Sequence, residues 1–255
     1  MNPVIVRNLK IGEGIPKICV PIVRTTKSEI VNEAKIIQKS PADMVEWRGD
    51  WFEDIFQFPK VEEVCKELRA VFENTPILFT FRRKQEGGEK EIETNGYGEL
   101  LQKVAETGLV DVIDIEGFAG DQMVKETIEK VHGAGVKVIV SNHDFHGTPN
   151  QEELVRRLEK MRGMGADITK IAVMPKNKKD VLTLLCAVEE LSSRVSYPMI
   201  AVSMSDMGMI TRIFGEVFGS AVTFGAAQQI SAPGQIEVNK LRDWLLFLHK
   251  SSENI

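Results

Sequence analysis

Residues 44–82, MVEWRGDWFEDIFQFPKVEEVCKELRAVFENTPILFTFR, contain the pattern that decides the fold. Two short β-type runs, 44–48 and 77–82, flank a stretch in which apolar residues recur with the helical period. Val61, Cys65 and Phe72 lie on one face of that helix. The segment therefore predicts a strand–helix–strand unit, in which a helical crossover joins two parallel strands.

The same unit repeats along the chain. The predicted strands are 18–23, 44–48, 77–82, 111–116, 136–143, 167–173, 199–204 and 221–225. Thr26 with Glu29, and Thr148 with Pro149 and Gln151, are predicted to cap two of the intervening helices as capping boxes. Eight such units favour a closed barrel, so we predict an α/β fold, a single (β/α)8 TIM barrel over residues 1–255.

An open doubly wound sheet is the structural alternative. It is weakened because no G-x-G-x-x-G turn follows the first predicted strand, and this also argues against a dinucleotide site. Residues 1–15 have the pattern of a short hairpin, which we expect to close the bottom of the barrel, at the amino ends of its strands.

Composition narrows the class of partner. The chain has 255 residues, 43% of them hydrophobic, and a net charge of −5, which argues against a nucleic-acid or anionic-membrane partner. Cys19, Cys65 and Cys186 have apolar neighbours and no metal-ligand spacing, so we expect buried free thiols in a reducing compartment. The N-terminus has no leader pattern, and we expect a cytoplasmic protein.

Polar side chains interrupt the predicted strands towards their carboxyl ends, although barrel strands are normally apolar on both faces. These residues are Glu46, Arg48, Arg82, Asp114, Glu116, His143 and Lys170, and Thr80 and Ser141 share the faces of Arg82 and His143. Active sites of (β/α)8 barrels lie at that end, because the loops that follow the strands meet there. A buried set of mixed charge must be paired or must face a cavity, so the pattern predicts a catalytic site.

Lys170 is the most informative of these residues. A lysine in a strand is usually solvated, but ITKIAV (168–173) surrounds this one with apolar residues. A desolvated amine near other cations is more readily neutral and nucleophilic, which indicates Schiff-base chemistry with a ketone. For His143 a turn-capping role, and for Glu46 with Arg48 a structural ion pair, remain open. In the run 82–84 we expect only Arg82 to point inward.

Five separated segments resemble the type I 3-dehydroquinate dehydratases, over essentially the whole chain. They are GEVFGSAVTFGAAQQISAPGQI (215–236), SNHDF (141–145), ITKIAV (168–173), VEWR (45–48) and FRRKQE (81–86). The resemblance implies a homodimeric (β/α)8 barrel with neither metal nor organic cofactor. It also implies that the small-molecule substrate, 3-dehydroquinate, loses water to give 3-dehydroshikimate in the shikimate pathway.

The resemblance also implies residue roles. Lys170 would form the Schiff base, His143 would act as general acid and base, and Glu86 would orient His143. The implied substrate-binding residues are Glu46, Arg48, Arg82, Met204, Arg212, Phe224, Ser231 and Gln235. Arg212 would hold the substrate carboxylate. Ser231 and Gln235 fall in the segment 226–236, which we expect to act as a lid.

Two positions depart from the family pattern. Many relatives have a methionine where this chain has Val202, and some have a serine where it has Pro21. We expect altered affinity rather than altered chemistry, because Lys170, His143 and Glu86 are all present. The alternative functions are a class I Schiff-base aldolase and a barrel that binds a ligand without catalysis.

Overall fold

The computed structural model describes residues 2–227 and 234–252. Its first element is an antiparallel hairpin of β1 (Val4–Val6) and β2 (Leu9–Ile11), as predicted for residues 1–15. The barrel strands follow: β3 (Lys17–Ile22), β4 (Met44–Arg48), β5 (Ile77–Thr80), β6 (Val112–Glu116), β7 (Lys137–Asp144), β8 (Ile168–Val173), β9 (Met199–Ser203) and β10 (Val222–Ala226).

Helices cover the outside of these strands. They are α1 (Lys27–Ile37), α2 (Phe58–Phe72), α3 (Thr94–Glu106), α4 (Asp121–Gly133), α5 (Gln151–Gly163), α6 (Lys178–Arg194), α7 (Ile210–Ile213), α8 (Gly215–Phe218) and α9 (Val238–Ser252). A two-residue strand, β11 (Ile236–Glu237), runs parallel to the end of β10 and leads into α9. Among the described residues, no helix is both long enough and apolar enough to cross a bilayer.

The parallel sheet follows chain order from β3 to β9, with β10 beside β3. Strand β9 meets the residues just before β10 around Ser220. The amide of Ala221 donates to the carbonyl of Met199 over 2.7 Å, and Ser220 Oγ accepts from the amide of Ala201. This contact closes the sheet, so the barrel prediction is confirmed and the open doubly wound sheet is excluded.

Two local predictions for chain segments need correction. The strand predicted over 77–82 ends at Thr80, because the Arg82 amide donates to the Asp50 carboxylate instead of to a neighbouring strand. Thr26 with Glu29 forms the predicted capping box of α1. Thr148 does not cap α5: its hydroxyl donates to the Met174 carbonyl, and Asn150 is the N-cap residue.

The cysteine prediction is correct for two residues of three. Cys19 and Cys65 are free and buried, whereas Cys186 is exposed. Cys186 lies on α6 beside two buried residues, so its apolar neighbours in sequence point to the core while its own side chain points away.

Candidate active site

A cavity of about 280 Å³ opens at the carboxyl ends of the strands. The residues that line it are Glu46, Arg48, Thr80, Arg82, Glu86, Gly87, His143, Phe145, Lys170, Ala172, Val202, Met204, Arg212, Phe224 and Gln235. The structure thus brings together every predicted site residue that it describes. Ser231, and residues 228–233 of the predicted lid, lie outside the described residues.

Lys170 lies on β8, and 5% of its surface is exposed. Its Nζ is 3.5 Å from Asp114 Oδ2, 3.9 Å from Glu46 Oε1 and 4.5 Å from the centre of the Phe224 ring. The sequence prediction placed other cations beside this amine, but its closest charged neighbours are carboxylates. Two carboxylates and an aromatic face stabilise a cation on this nitrogen, whether an ammonium or an iminium ion.

His143 lies near the end of β7. It faces the same side as Lys170, because Ser141 is in register with Lys170 and His143 lies two positions further on the same face. Its Nδ1 is 3.1 Å from Glu86 Oε2, and its own backbone amide donates to the same oxygen over 2.8 Å. Asn142 Nδ2 donates to Glu86 Oε1 over 3.2 Å. An ionised Glu86 can only accept, so in that form it selects the tautomer with the proton on Nδ1 and the lone pair on Nε2.

Burial and charge set the protonation of this pair. Burial lowers the pKa of His143 well below its ordinary value, and the nearby Arg82 and Lys170 lower it further. Burial also raises the pKa of Glu86 to about 7, although Arg82 opposes that rise. The imidazole is therefore neutral near pH 7 and can accept a proton at Nε2, as a general base requires.

Arg82 connects the cavity to a buried ionic network. Its guanidinium donates to Asp114 over 2.8 Å, and to Glu116 and Ser141 over 3.1 Å each. Burial opposes ionisation of Asp114, but Arg82 and Lys170 hold its pKa below the ordinary value. Arg82 thus fixes the carboxylate that contacts the amine.

Arg83 is also buried, but Arg82 is the residue of this run that lines the cavity, as expected. Its Nε donates to Glu116 Oε2 over 2.6 Å, and its guanidinium lies 5.2 Å from the Tyr97 ring centre. A carboxylate on β6 therefore holds both arginines, and this pairing offsets the cost of burying two adjacent cations.

Glu46 and Arg48 do not pair with each other. Arg48 donates to both oxygens of Asp50, over 2.9 and 2.8 Å, while Glu46 accepts from the Thr80 hydroxyl over 2.7 Å. Arg48 therefore forms its structural ion pair with Asp50 and not with Glu46. Asp50 also accepts a hydrogen bond from the Arg82 amide.

Arg212, on α7, places a cation in the wall of the cavity that lies across from Glu46 and Arg48 of β4. Only 2% of its surface is exposed, and burial lowers its pKa to about 10, so it remains charged at neutral pH. Met204, Val202 and Phe224 form an apolar wall of the same cavity. The cavity therefore offers a buried cation beside an apolar wall, which suits a small anionic molecule with some apolar surface.

Sequence reasoning counted Asp114 in the polar set without giving it a specific role, and it assigned no site role to Thr80, Phe145 or Gly87. Asp114 and Thr80 carried a usable signal, because each is a polar residue in the inward phase of a strand. Phe145 lies in SNHDF, two residues after His143. Gly87 has φ +83°, a left-handed conformation that favours glycine, and a Cβ there would meet the Phe145 ring.

The described residues contain no group of three or more His, Cys, Asp or Glu side chains arranged to hold a metal ion. The fold and the site together define the class: an α/β-barrel enzyme with a buried lysine and a carboxylate-oriented histidine in one cavity at the carboxyl ends of its strands.

Comparison with known proteins identifies the family. The type I 3-dehydroquinase profile matches residues 18–252. The 3-dehydroquinate dehydratase of Listeria monocytogenes serotype 4a is 51% identical over 250 residues, covering 98% of this chain and 99% of that protein. The enzyme of Clostridioides difficile strain 630 is 51% identical over 247 residues, which cover 96% of this chain and 97% of that protein.

Solved structures agree with the sequence relatives. The type I 3-dehydroquinate dehydratase from Clostridium difficile, with covalent modified comenic acid, matches with a TM-score of 0.95 at 50% identity, covering 98% of each chain. The enzyme from Geobacillus kaustophilus matches with a TM-score of 0.95 at 36% identity, covering 98% of this chain and 99% of that one. The chain belongs to the type I 3-dehydroquinase family and is a hydro-lyase.

Proposed function

We propose that this protein converts 3-dehydroquinate to 3-dehydroshikimate and water through an iminium intermediate on Lys170, in the shikimate pathway. The observation that carries the mechanism is the buried amine of Lys170 in the same cavity as the His143–Glu86 pair. Family membership supports the reaction. The alternative of a C–C bond-breaking aldolase is not favoured, because the relatives named above are dehydratases.

Binding begins with the carboxylate of the substrate, which Arg212 holds as the charged, buried guanidinium of the apolar wall. Arg48, Glu46 and Arg82 lie on the other side of the cavity and bind or position the ring hydroxyl groups. Gln235, next to β11, completes the lining. These contacts place the C3 ketone at Nζ of Lys170, which turns a bimolecular attack into a step within one complex.

The reaction then follows from the two nitrogen bases. Neutral Lys170 adds to C3, and the ketone oxygen leaves as water with one proton from the amine and one that His143 carries in from solvent, which leaves a C=N⁺ bond. The cationic nitrogen acidifies the C2–H bond, and Nε2 of His143 takes that proton. The resulting enamine expels the C1 hydroxyl, which leaves as water with the proton from His143. A water molecule then hydrolyses the product iminium, which releases 3-dehydroshikimate, the free amine and the proton taken up earlier, so the net change is the loss of one water.

The surrounding carboxylates stabilise each cation formed on this route. Asp114 and Glu46 lie within 4 Å of the nitrogen that becomes the iminium ion. Glu86 stabilises the imidazolium that forms after the C2 proton has been removed. The covalent modified comenic acid in the Clostridium difficile relative supports covalent chemistry in this family.

Borohydride trapping tests the proposal. The purified protein is mixed with 3-dehydroquinate and reduced with borohydride, and its peptides are weighed by mass spectrometry. We expect one ligand-derived mass on the peptide that contains Lys170, and growth of the ultraviolet absorbance of the conjugated enone without borohydride. A mass on another lysine, or turnover with no adduct under any condition, contradicts the mechanism.

We further propose a homodimer in the cytoplasm. The dimer rests on the family resemblance, and the compartment is supported by the buried free thiols of Cys19 and Cys65. Sedimentation equilibrium of the purified protein tests the dimer, and a monomer mass at micromolar concentration contradicts it.

A further inference from the structure

A line of polar contacts leads from the helical layer to the catalytic histidine. Arg157, on α5, donates from NH1 to Asn142 Oδ1 over 2.9 Å. Asn142 is buried and donates from Nδ2 to Glu86 Oε1 over 3.2 Å. Glu86 Oε2 accepts from His143. The four side chains form one chain of contacts, with the guanidinium at its outer end.

The guanidinium determines which way the Asn142 amide points. An arginine side chain can only donate, so the atom of Asn142 that faces it must be the oxygen. The amide nitrogen is then directed at Glu86, where it favours the carboxylate. With the amide reversed, its oxygen would face Glu86 and disfavour that charge. Arg157 therefore sets the hydrogen-bonding character of a residue that it does not touch.

Arg157 is itself held in place from three sides. Its Nε donates to Glu153 Oε1 over 2.8 Å, NH1 lies 3.3 Å from Asp144 Oδ2, and the guanidinium lies 5.8 Å from the Phe118 ring centre. Its side chain is 20% exposed. A guanidinium restrained in this way loses little freedom when it orients Asn142.

We propose that Arg157, acting through Asn142, is a positioning residue for the dehydration: it keeps Glu86 in the acceptor form that gives His143 its reactive Nε2 lone pair. The proposal rests on the function of His143 proposed above. Without the amide donor, Glu86 holds its proton to higher pH, and a protonated Glu86 donates to Nδ1. The imidazole proton then moves to Nε2, where the base must be free.

Other charges act on the same pair and remain in every variant below. Arg82 NH1 lies 3.7 Å from Glu86 Oε2, and Glu116 on β6 opposes ionisation of Glu86. Arg82, Lys170 and Arg48 disfavour the charged form of His143. Glu86 and His143 therefore titrate as a unit. Each variant is compared with the wild type over the whole acid limb of the pH profile.

The experiment measures the pH dependence of kcat/KM for dehydration. We expect the acid limb of Asn142→Leu to move to higher pH by about one unit, the usual size for loss of one hydrogen bond to a charged group. Arg157→Ala should move it in the same direction by less, and Arg157→Lys should recover part of the shift through a single N–H donor. In a Glu86→Gln background, Arg157→Ala should leave the profile unchanged.

Arg156→Ala is the matched control. Arg156 is the neighbouring residue on α5 and also donates to Glu153, but its side chain is 61% exposed. We expect its profile to match that of the wild type. An unmoved acid limb in Arg157→Ala, or an equal shift in Arg156→Ala, overturns the proposal. If Asn142→Leu does not fold, the three arginine variants decide alone. A wild-type protein without dehydratase activity contradicts the proposed function instead.

Discussion

The interior of the barrel differs between its two ends, although the same strands line both. At the amino ends the inward residues are Cys19, Met44, Leu78, Val112, Ile139, Ile168, Ile200 and Val222, packed with Val6 and Ile11 of the hairpin. Two residues further along, several of these strands carry Glu46, Thr80, Asp114, Ser141 and Lys170. A step of two residues keeps the side chain on the same face and moves it by about 7 Å.

The difference shows how the fold desolvates an amine. The apolar end excludes water from below, so Lys170 can be solvated only through the cavity, and its counterions are side chains in fixed positions. Those counterions cost stability to bury, and the dry hydrocarbon layer below them offsets that cost. Substitutions at the two ends should therefore separate activity from stability.

Lys170→Met should have the largest effect on activity at the carboxyl ends of the strands. It keeps the length of the side chain and removes the amine. We expect turnover to fall on the order of 10⁶-fold, as when a covalent nucleophile is lost. Stability should change little, because Asp114 keeps Arg82 and Ser141 as partners. Stopped assays of product absorbance and a thermal melt check both results. A loss below a thousandfold would mean that the amine is not the nucleophile.

His143→Ala should give the next largest effect. We expect kcat to fall by about 10²–10⁴-fold, the usual contribution of a general acid and base. Borohydride should still trap some adduct on Lys170, because the proton transfers after iminium formation are the slowed steps. Turnover and the trapped fraction are measured on the same preparation. A variant with nearly full kcat would remove His143 from the mechanism.

The contrast between the two ends could largely be predicted from the sequence. Period-two alternation put Glu46 on the face of Arg48 and Ser141 on the face of His143, and the carboxyl-end rule placed these residues and Lys170 at one mouth. What could not be predicted were partners set by the closed sheet. Arg83 is buried because Glu116, 33 residues away, receives it, and Arg48 turns to Asp50 rather than to Glu46. Such pairings depend on strand register and loop path, which alternation does not contain.

Ile11→Ala acts on the opposite end and should affect stability alone. Ile11 is fully buried against the inward residues of the amino ends, so removing its outer carbons leaves a cavity there. We expect a loss of about 3 kcal/mol in the free energy of unfolding, with kcat unchanged at 25 °C. Denaturant titration and steady-state kinetics measure the two quantities. A large fall in kcat at full folding would mean that the hairpin influences the catalytic end.

The smallest expected effect is a pH dependence of stability that comes from Glu86. Burial raises its pKa to about 7, so between its unfolded value near 4.5 and pH 7 the folded protein binds more protons than the unfolded chain. Stability from this group is therefore fully present below pH 4.5 and is lost as the pH rises through 7. Glutamine is neutral at every pH, so the Glu86→Gln variant does not lose stability in this way. Relative to the wild type, we expect Glu86→Gln to gain about 1–3 kcal/mol between pH 5 and pH 8.

Urea titrations of both proteins at several pH values measure the difference in their free energies of unfolding. Hydrogen bonds of the glutamine contribute equally at every pH, so they do not affect how this difference changes with pH. His143 contributes the opposite slope, because its lowered pKa costs stability below pH 6.5, so the part of the difference measured above pH 6.5 reports on Glu86. A flat difference between pH 5 and 8 would mean that Glu86 is already ionised at pH 5. Ionising Glu86 would then cost the folded protein no stability in this pH range. The contrast between a stabilising and a catalytic end would not extend to this residue.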